Sequence, residues 1–456
     1  MSSFREKYIA EPKFYSRIFR IAWPITIANF ISGSMEIIDS IMVAAIGMTT
    51  AVSTAGQYSS IYYLMSYGLI AGIAIYASQF YGADDIKNLR KTFYFSLVLT
   101  LSASLLFFII GQIFGRQILT FYLNDPETVR NGLLYMHIAL FNLPLSGINY
   151  TYHTLYRCVG EQKFTMVSSM FSGLINVLLN YCLIFGNLGF TPMGVQGAAI
   201  ATVISQSLQA VFNIVFAIKT RQSFILDFRQ SVQFSRSFVK EVMSKTAPLI
   251  LNETIFGFGT TLFAKAYGYL GADAMTSYYI GNQIFEIFLY AVYGFGAAIG
   301  VVLGTSLGKN QREQAIKEKD YILFMSFIMT IVLIIGIILL SPFFVSLFNQ
   351  TNPEIINNAI RIMHVFALKI SMRLFNYISF AILRSGGKTR TIQLLDSGIL
   401  WLVGIPLAFI CVLAFKMTDI ALVLLICQAE QLVRLVFLMK EVNSNKWANN
   451  LTDSID

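Results

Sequence analysis

Charge is scarce in this chain: Asp, Glu, Lys and Arg make up only 12% of its 456 residues. A soluble domain carries roughly 25%, so a surface facing water throughout is excluded and another solvent must cover most of the molecule. Catalytic signatures are missing as well. There is no H-E-x-x-H, no G-x-S-x-G, no G-x-x-x-x-G-K-[ST] and no Cys/His cluster at metal-site spacing. Without a phosphate-binding loop, ATP hydrolysis is not expected; neither enzymatic activity nor a cofactor is called for. Cysteine is limited to Cys158 in an expected inner loop and Cys182, Cys411 and Cys427 in apolar runs, so no disulfide is expected. The start, MSSFREKYIAEPKFYSRIFR, lacks a small-residue cleavage site and reads as a basic amphipathic surface helix leading into the first span.

What the chain has instead is apolar length. Hydrophobic residues make up 56% of it, and runs such as Leu97–Ile110 and Phe327–Leu340 extend with their flanks past the ~20 residues that cross a bilayer. Twelve such segments are expected, near 21–46, 58–78, 93–115, 131–155, 164–186 and 196–218, then 242–268, 274–304, 321–347, 358–383, 391–413 and 418–440. The net charge of +9 follows the loops. Arg17, Arg20, Lys87, Arg90 and Lys91, the connector's Lys219, Arg221, Arg236, Lys240 and Lys245, and Lys309, Arg312, Lys317 and Lys319 all fall on one side. The other side holds only Arg116, Arg130, Arg361 and Lys416. That asymmetry predicts both termini in the cytoplasm and leaves no surplus for nucleic acid.

The chain also repeats. Pro24 matches Pro248 at an offset of 224 and Gly82 matches Gly308 at 226. Asp125-Pro126-Glu127 matches Asn352-Pro353-Glu354 at 227, and Arg157-Cys158-Val159-Gly160 matches Arg384-Ser385-Gly386-Gly387 at the same offset. Four matches in order at nearly one offset imply duplication. An even number of spans per repeat gives both halves the same orientation. The expected fold is therefore an all-α membrane protein of twelve transmembrane helices in two pseudo-symmetric six-helix lobes. The N-lobe covers 1–218 and the C-lobe 242–456, with 219–241 as a cytoplasmic connector and natural hinge. Gly296, Gly300, Gly304 and Gly308, with Gly68 and Gly72, predict close helix packing.

Charges inside apolar spans need a partner or a wet cavity, because each costs roughly 2.5–3.5 kcal/mol at mid-bilayer. Glu36 and Asp39 share one face of the first span, and Asn176 and Asn180 share a face of the fifth. Glu253, Glu286, Asp396 and Glu430 lie in the second half. Asp39 and Glu253 are the strongest candidates for coupling or substrate carboxylates. Lys369 and Arg373 occupy the tenth span; Arg373 is expected to pair with Glu253 as an internal counter-ion. Lys265 and Arg434, near helix ends, are expected to snorkel. His137 and His364 occupy equivalent helices and read as structural. Aromatics and methionines of the first two spans, if they line a cavity, suit flat organic cations. With no ATP site, an ion gradient must drive any transport, at about 2.3 kcal/mol per charge per 100 mV.

Several segments resemble the multidrug and toxic compound extrusion (MATE) family. They are MEIIDSIMVAAIG around Asp39, SQFYGADDIKNLRK, the stretch from Tyr156 through NVLLNYCLIFG to MGVQGAAIAT, and PLILNETIFGFGTTLFAKAYGYLGADAMTSYYI around Glu253. LRSGGKTRTIQLLDSGILWLVGIPLAFI and the ending KWANNLT are similar to a bacterial subgroup. The resemblance implies a monomeric antiporter of the bacterial inner membrane, exporting small organic cations and other amphipathic drugs in exchange for H+ or Na+. Asp39 and Glu253 would be the N-lobe and C-lobe acidic sites, with Na+ near Glu253. Two positions depart from the pattern: Asn180 stands where some relatives carry Asp, and Arg373 lies where the NorM-like branch carries an acid. The alternative within the superfamily is a lipid-linked precursor flippase, which would favour a strongly cationic cavity. A channel is disfavoured by the paired halves.

Overall fold

The computed structural model describes residues 8–122, 125–225, 231–348 and 352–452, so the first residues of the amphipathic lead-in, 1–7, lie outside the described residues. Six helices come from the first half: α1 Pro12–Ala45, α2 Thr49–Gly82, α3 Ile86–Tyr122, α4 in two pieces (Pro126–Ala139 and Asn142–Cys158), α5 Gln162–Phe185 and α6 Val195–Lys219. Six come from the second: α7 Arg236–Gly268, α8 Ala272–Gly308, α9 Arg312–Ser346, α10 Pro353–Ser385, α11 Thr389–Ala414 and α12 Ile420–Asn443. No strand occurs among the described residues. Helices of 34 residues such as α1 and α2 run ~51 Å at 1.5 Å per residue, well past a ~30 Å hydrocarbon core.

Ten of these helices are long and apolar enough to cross a membrane by themselves. The two others fall short for visible reasons. α4 is interrupted at Leu140–Phe141, leaving pieces of 14 and 17 residues. α7 is diluted by Asn252, Glu253, Thr254, Thr260, Thr261 and three glycines. Large apolar side chains on α3 (Leu105, Leu106, Ile113) and α9 (Val332, Ile335, Leu339) are exposed, which in water would be prohibitive and in lipid is the expected belt. The protein is an all-α membrane protein with two similar six-helix lobes.

Each repeated motif marks the same local device in both halves. Asp125 and Asn352 are N-caps, accepting from the amides of Thr128 and Glu354, and each is followed by proline in the first turn. Gly82 and Gly308 end α2 and α8, and the turns beyond them pass through Asp84 (φ 56°) and Asn310 (φ 60°). Gly160 and Gly387 have φ of 92° and 76°, a left-handed turn that side chains resist. Pro24 and Pro248 lie inside α1 and α7. A further pair is buried and escaped the sequence comparison. Asn149 Nδ2 donates to the carbonyl and side-chain oxygens of Gln206 (3.2 and 2.9 Å), and Asn376 Nδ2 does the same to Gln431 (3.1 and 3.0 Å). In each half this bond ties the fourth helix to the sixth.

Two compact units emerge from the packing, one of residues 27–242 and one of 8–26 with 243–452. The start of α1 thus belongs with the second half. Phe14 packs edge-on against Tyr321, Phe19 against Phe295, and Gly294 lies close to Ala22 and Thr26. The described part of the connector packs with the first half. Phe224 and Phe238 are fully buried, Phe224 among Phe93, Tyr152 and Tyr156 and Phe238 against Phe95. Arg90 Nε donates to the Ser223 carbonyl (2.7 Å) and Tyr94 Oη to that of Ile225 (2.6 Å). In the second unit the chain after α12 folds back. Trp447 is fully buried, with its indole N–H on the Val442 carbonyl (3.1 Å), and its own carbonyl fills the space a side chain at Gly386 would need. Of the glycines expected to pack, Gly296 faces the Tyr377 ring of α10, whereas Gly300 has open space beside it.

Candidate functional site

In the first lobe, α1 and α5 bring one acid and two amides together. Asn176 and Asn180 stand one turn apart on α5 and so share a face. Asn180 Nδ2 donates to Asp39 Oδ1 at 2.5 Å and also lies 3.2 Å from Asn176 Oδ1. With its nitrogen turned toward the acid, Asn176 donates to the same Oδ1 at 2.7 Å, replacing an oxygen–oxygen approach. Thr202 of α6 bonds Asn176 at 3.3 Å and is itself anchored on the Ala198 carbonyl. Asp39 is half-buried and Glu36, on the same helix face and within Coulombic reach, is exposed. Tyr135 and Tyr150, one from each piece of α4, lie within Coulombic reach of Asp39 and Glu36 respectively. Among the described residues no Lys or Arg forms an ion pair with either acid. This is a carboxylate with oriented amide donors and no resident cation.

The second lobe answers its acids differently. Arg434 of α12 is fully buried and does not snorkel as its place near a helix end had implied. Its guanidinium pairs with Glu430 one turn earlier and with Asp396 Oδ1 at 3.4 Å. The reason lies in the backbone of α11, which widens into π-helical turns at Leu394–Gly398 and Leu400–Gly404. Such widened turns inside α-helices are frequent at functional sites. Within this stretch Arg434 donates to the carbonyls of Leu395 (3.3 Å) and Asp396 (3.1 Å), the latter shared with the Ile399 amide. Asn252 of α7 closes the cluster, donating to Asp396 Oδ2 (3.0 Å) and accepting from the Ser397 hydroxyl (2.7 Å). Gln431 donates to Glu430 at 2.9 Å. Beside the cluster, the Trp401 indole donates to the Ile255 carbonyl of α7 at 3.1 Å. Two buried acids around one buried arginine form an ionic knot that keeps a net negative charge toward Arg373.

Glu253 and Glu286 lie outside the ion pairs of that knot, both half-buried, and Glu253 adjoins it through a side-chain hydrogen bond with Asn252. Glu253 lies within Coulombic reach of Arg384, Asp396 and Arg373, and Glu286 of Lys369 and Arg373. The expected ion pair between Arg373 and Glu253 is absent: no carboxylate is within ion-pair distance of Arg373 among the described residues. Its guanidinium lies over the Phe256 ring instead, 5.7 Å from the centroid. Four acids share its neighbourhood by Coulombic reach, and the ring face supplies a cation–π contact in place of a direct pair. His137 meets Gln112 through its ring (2.5 Å) and its carbonyl (2.8 Å).

Asn252, Ser397, Thr202, Gln431 and the two α4 tyrosines were not singled out from sequence. Asn252 carried a signal, an amide adjoining Glu253 in an apolar span; the others are polar residues of kinds that also occur as ordinary packing.

Two lobes of long apolar helices with acids inside them define a polytopic helical membrane protein. The MatE family model matches residues 24–182 and 248–410, one segment in each half, and the chain belongs to that family, the MATE transporters. It is 22% identical over 399 residues to the "Probable multidrug resistance protein YoeA" of Bacillus subtilis (strain 168), covering 85% of this chain and 84% of that protein. It is 23% identical to the "Multidrug export protein MepA" of Staphylococcus haemolyticus (strain JCSC1435), covering 92% of each. A solved outward-facing structure of a multidrug resistance MATE transporter superposes with TM-score 0.85 at 17% identity, over 94% of this chain and 96% of that one.

Proposed function

We propose that the chain is a secondary-active antiporter exporting organic, often cationic, compounds in exchange for H+ or Na+. It would act as a monomer in the bacterial inner membrane, with both termini in the cytoplasm and no cofactor beyond the coupling ion. The observation that carries this reading is Asp39, held by Asn180 and without a basic partner among the described residues. A carboxylate in a membrane span without an internal cation takes its counter-charge from a proton, a metal cation or an organic cation. One site that accepts only one of these at a time couples their movements, provided it faces the two sides in turn. Asn176 and Asn180 orient the carboxylate, and Glu36 extends the negative field. Glu253 serves the second lobe, where Na+ would bind, with Glu286 nearby. Asp396 and Glu430 are engaged by Arg434, which supports a structural part for them. The relatives named for multidrug resistance and multidrug export support the substrate class. An acidic first lobe without a basic partner disfavours a pyrophosphate-linked cargo.

The test is ethidium transport in everted vesicles with Na+ and pH gradients imposed separately. Wild type should respond to one of the two gradients. Asp39→Asn should insert normally and transport at least tenfold more slowly. Wild-type rates in that variant would overturn the reading.

A further inference from the structure

Two cations stand at the middle of α10. Lys369 lies 16 residues from either end of Pro353–Ser385 (369 − 353 and 385 − 369), ~24 Å along the axis at 1.5 Å per residue. Arg373 is one turn further on, on the same face. Neither side chain is long enough to bring its charge to a membrane surface from that depth. Both are half-buried, so each keeps accessible surface. Lys369 Nζ sits over Phe285 of α8 (4.9 Å) and Phe366 (4.5 Å), and Arg373 over Phe256 of α7 (5.7 Å). Contact with rings from α7 and α8 places both cations inside the lobe, away from lipid.

Among the described residues, neither cation has a carboxylate within ion-pair distance. The charged groups that face them are Glu286 of α8, Glu253 of α7, Asp396 of α11 and Glu430 of α12, with Tyr293 of α8 also in range. Asp396 and Glu430 are committed to Arg434. Glu253 and Glu286 act only at a distance. The equivalent positions of the first lobe, 227 residues earlier, are Asn142 and Ser146, both neutral; Asn142 donates to the Tyr63 hydroxyl at 3.0 Å. The cation pair is therefore a feature of one lobe and not of the shared scaffold.

We propose that Lys369 and Arg373 form an anion-binding subsite for the carboxylate or sulfonate of an amphipathic aromatic compound. The ring system of that compound lies against Phe256, the half-buried ring beside Arg373, while Phe285 and Phe366, fully buried against each other, back Lys369 from within the lobe. The guanidinium fork offers two parallel N–H donors to an oxyanion, and the ammonium adds a point charge beside them. A single negative charge suits the site, because Glu253 and Glu286 repel a second. The subsite extends the cargo from organic cations to zwitterions and organic anions. It stands independently of the efflux reading, since equilibrium binding needs no gradient.

The experiment is calorimetric titration of the full-length protein in phosphatidylcholine nanodiscs, where no anionic headgroup competes. The probes are 2-naphthoate and its cationic counterpart 2-naphthylmethylammonium. Wild type should bind naphthoate saturably. Lys369→Gln and Arg373→Gln should each weaken it at least tenfold, with Lys369→Arg close to wild type, while neither glutamine variant weakens the ammonium. Glu286→Gln, which does not touch the cations, should tighten naphthoate at least threefold by removing a repelling charge. Asp39→Asn separates the two readings, because naphthoate affinity must stay at its wild-type value whatever becomes of efflux. Absence of saturable naphthoate binding, undiminished binding in the two glutamine variants, unchanged affinity in Glu286→Gln, or its loss in Asp39→Asn would overturn the proposal.

Discussion

In the first lobe Asn149 holds Gln206, and in the second Asn376 holds Gln431 by the same two bonds. Yet the first lobe places Asn142 and Ser146 where the second places Lys369 and Arg373. The acids do not correspond either. Asp39 lies 15 residues after Pro24 (39 − 24), whereas Glu253 lies five after Pro248 (253 − 248). Along a helix axis these are ~22 and ~8 Å from equivalent prolines. Caps, turns and interhelical amides were kept in both halves, while charge was placed independently. Packing is constrained at every position of a bundle, so a duplicated scaffold preserves it. A charge needs only one pocket, and one lobe can gain or lose it without disturbing the other.

The comparison breaks most visibly at Arg434. Arg434→Leu should destabilise the second lobe by ~3–5 kcal/mol, because two buried acids lose their common partner. A large fall in melting temperature of the purified protein would register it, and adding Asp396→Asn with Glu430→Leu should recover most of the loss. A variant that melts like wild type would mean that the ionic knot does not hold α11 to α12. Next comes Asn180→Leu in the first lobe, which removes a charge-assisted hydrogen bond of ~1.5–3 kcal/mol. Vesicle assays should show at least a tenfold fall in efflux, with a smaller thermal effect than Arg434→Leu because Asp39 is only half-buried. The shared scaffold itself is tested by Asn149→Leu and Asn376→Leu. Each should cost ~1–3 kcal/mol by removing the partner of half-buried Gln206 or of buried Gln431, with the larger melting shift for Asn149, which also accepts from Asn213 at 3.0 Å; no loss in one of the two variants would end the argument from symmetry.

The smallest effect belongs to Asp419, the N-cap of α12, which pairs with Arg361 at 2.5 Å. Partial burial pushes its carboxyl up, but the bonds from Arg361 and from the amides of Leu422 and Ala421 outweigh that and hold it below the ordinary carboxylate range. A group lowered on folding contributes stability that is fully present above its unfolded value, ~3.9, and lost as pH falls through the folded one. Asp419→Ala should therefore cost ~1 kcal/mol at neutral pH, mainly as a lost cap, since exposed ion pairs contribute little. Melting curves of variant and wild type should draw together below about pH 4.

Twelve spans and their duplication were legible because lipid forces long apolar runs, and because caps and turns demand particular residues such as Pro126, Gly160 and Asn352. The Asp39 site was legible in part: the acid and both asparagines are unusual in a span, and helical spacing already put the amides on one face. Arg434 was misread because distance from a helix end says nothing about what the neighbouring helix needs. Its partners, Asp396 and the carbonyls of Leu395 and Asp396, come from α11 and are brought to it only by the fold. The Arg373 pairing failed for a related reason, since sequence ranks partners by charge and ignores a nearby ring such as Phe256. The connector's burial hinged on aromatic contacts between distant segments, which no local pattern encodes.

The hydrogen bond between Trp401 and the Ile255 carbonyl also has an optical consequence. The chain has three tryptophans. Trp447 is fully buried and should emit at short wavelength whatever happens elsewhere, whereas Trp23 is 61% exposed and lies near the start of the first span. Trp401 alone joins α11 to the backbone of α7 two residues beyond Glu253. Its emission should shift when a cation settles at Glu253 or when α7 turns against α11. With Trp23 changed to phenylalanine, the protein carries its own spectroscopic reporter of the second lobe, read against the steady signal of Trp447.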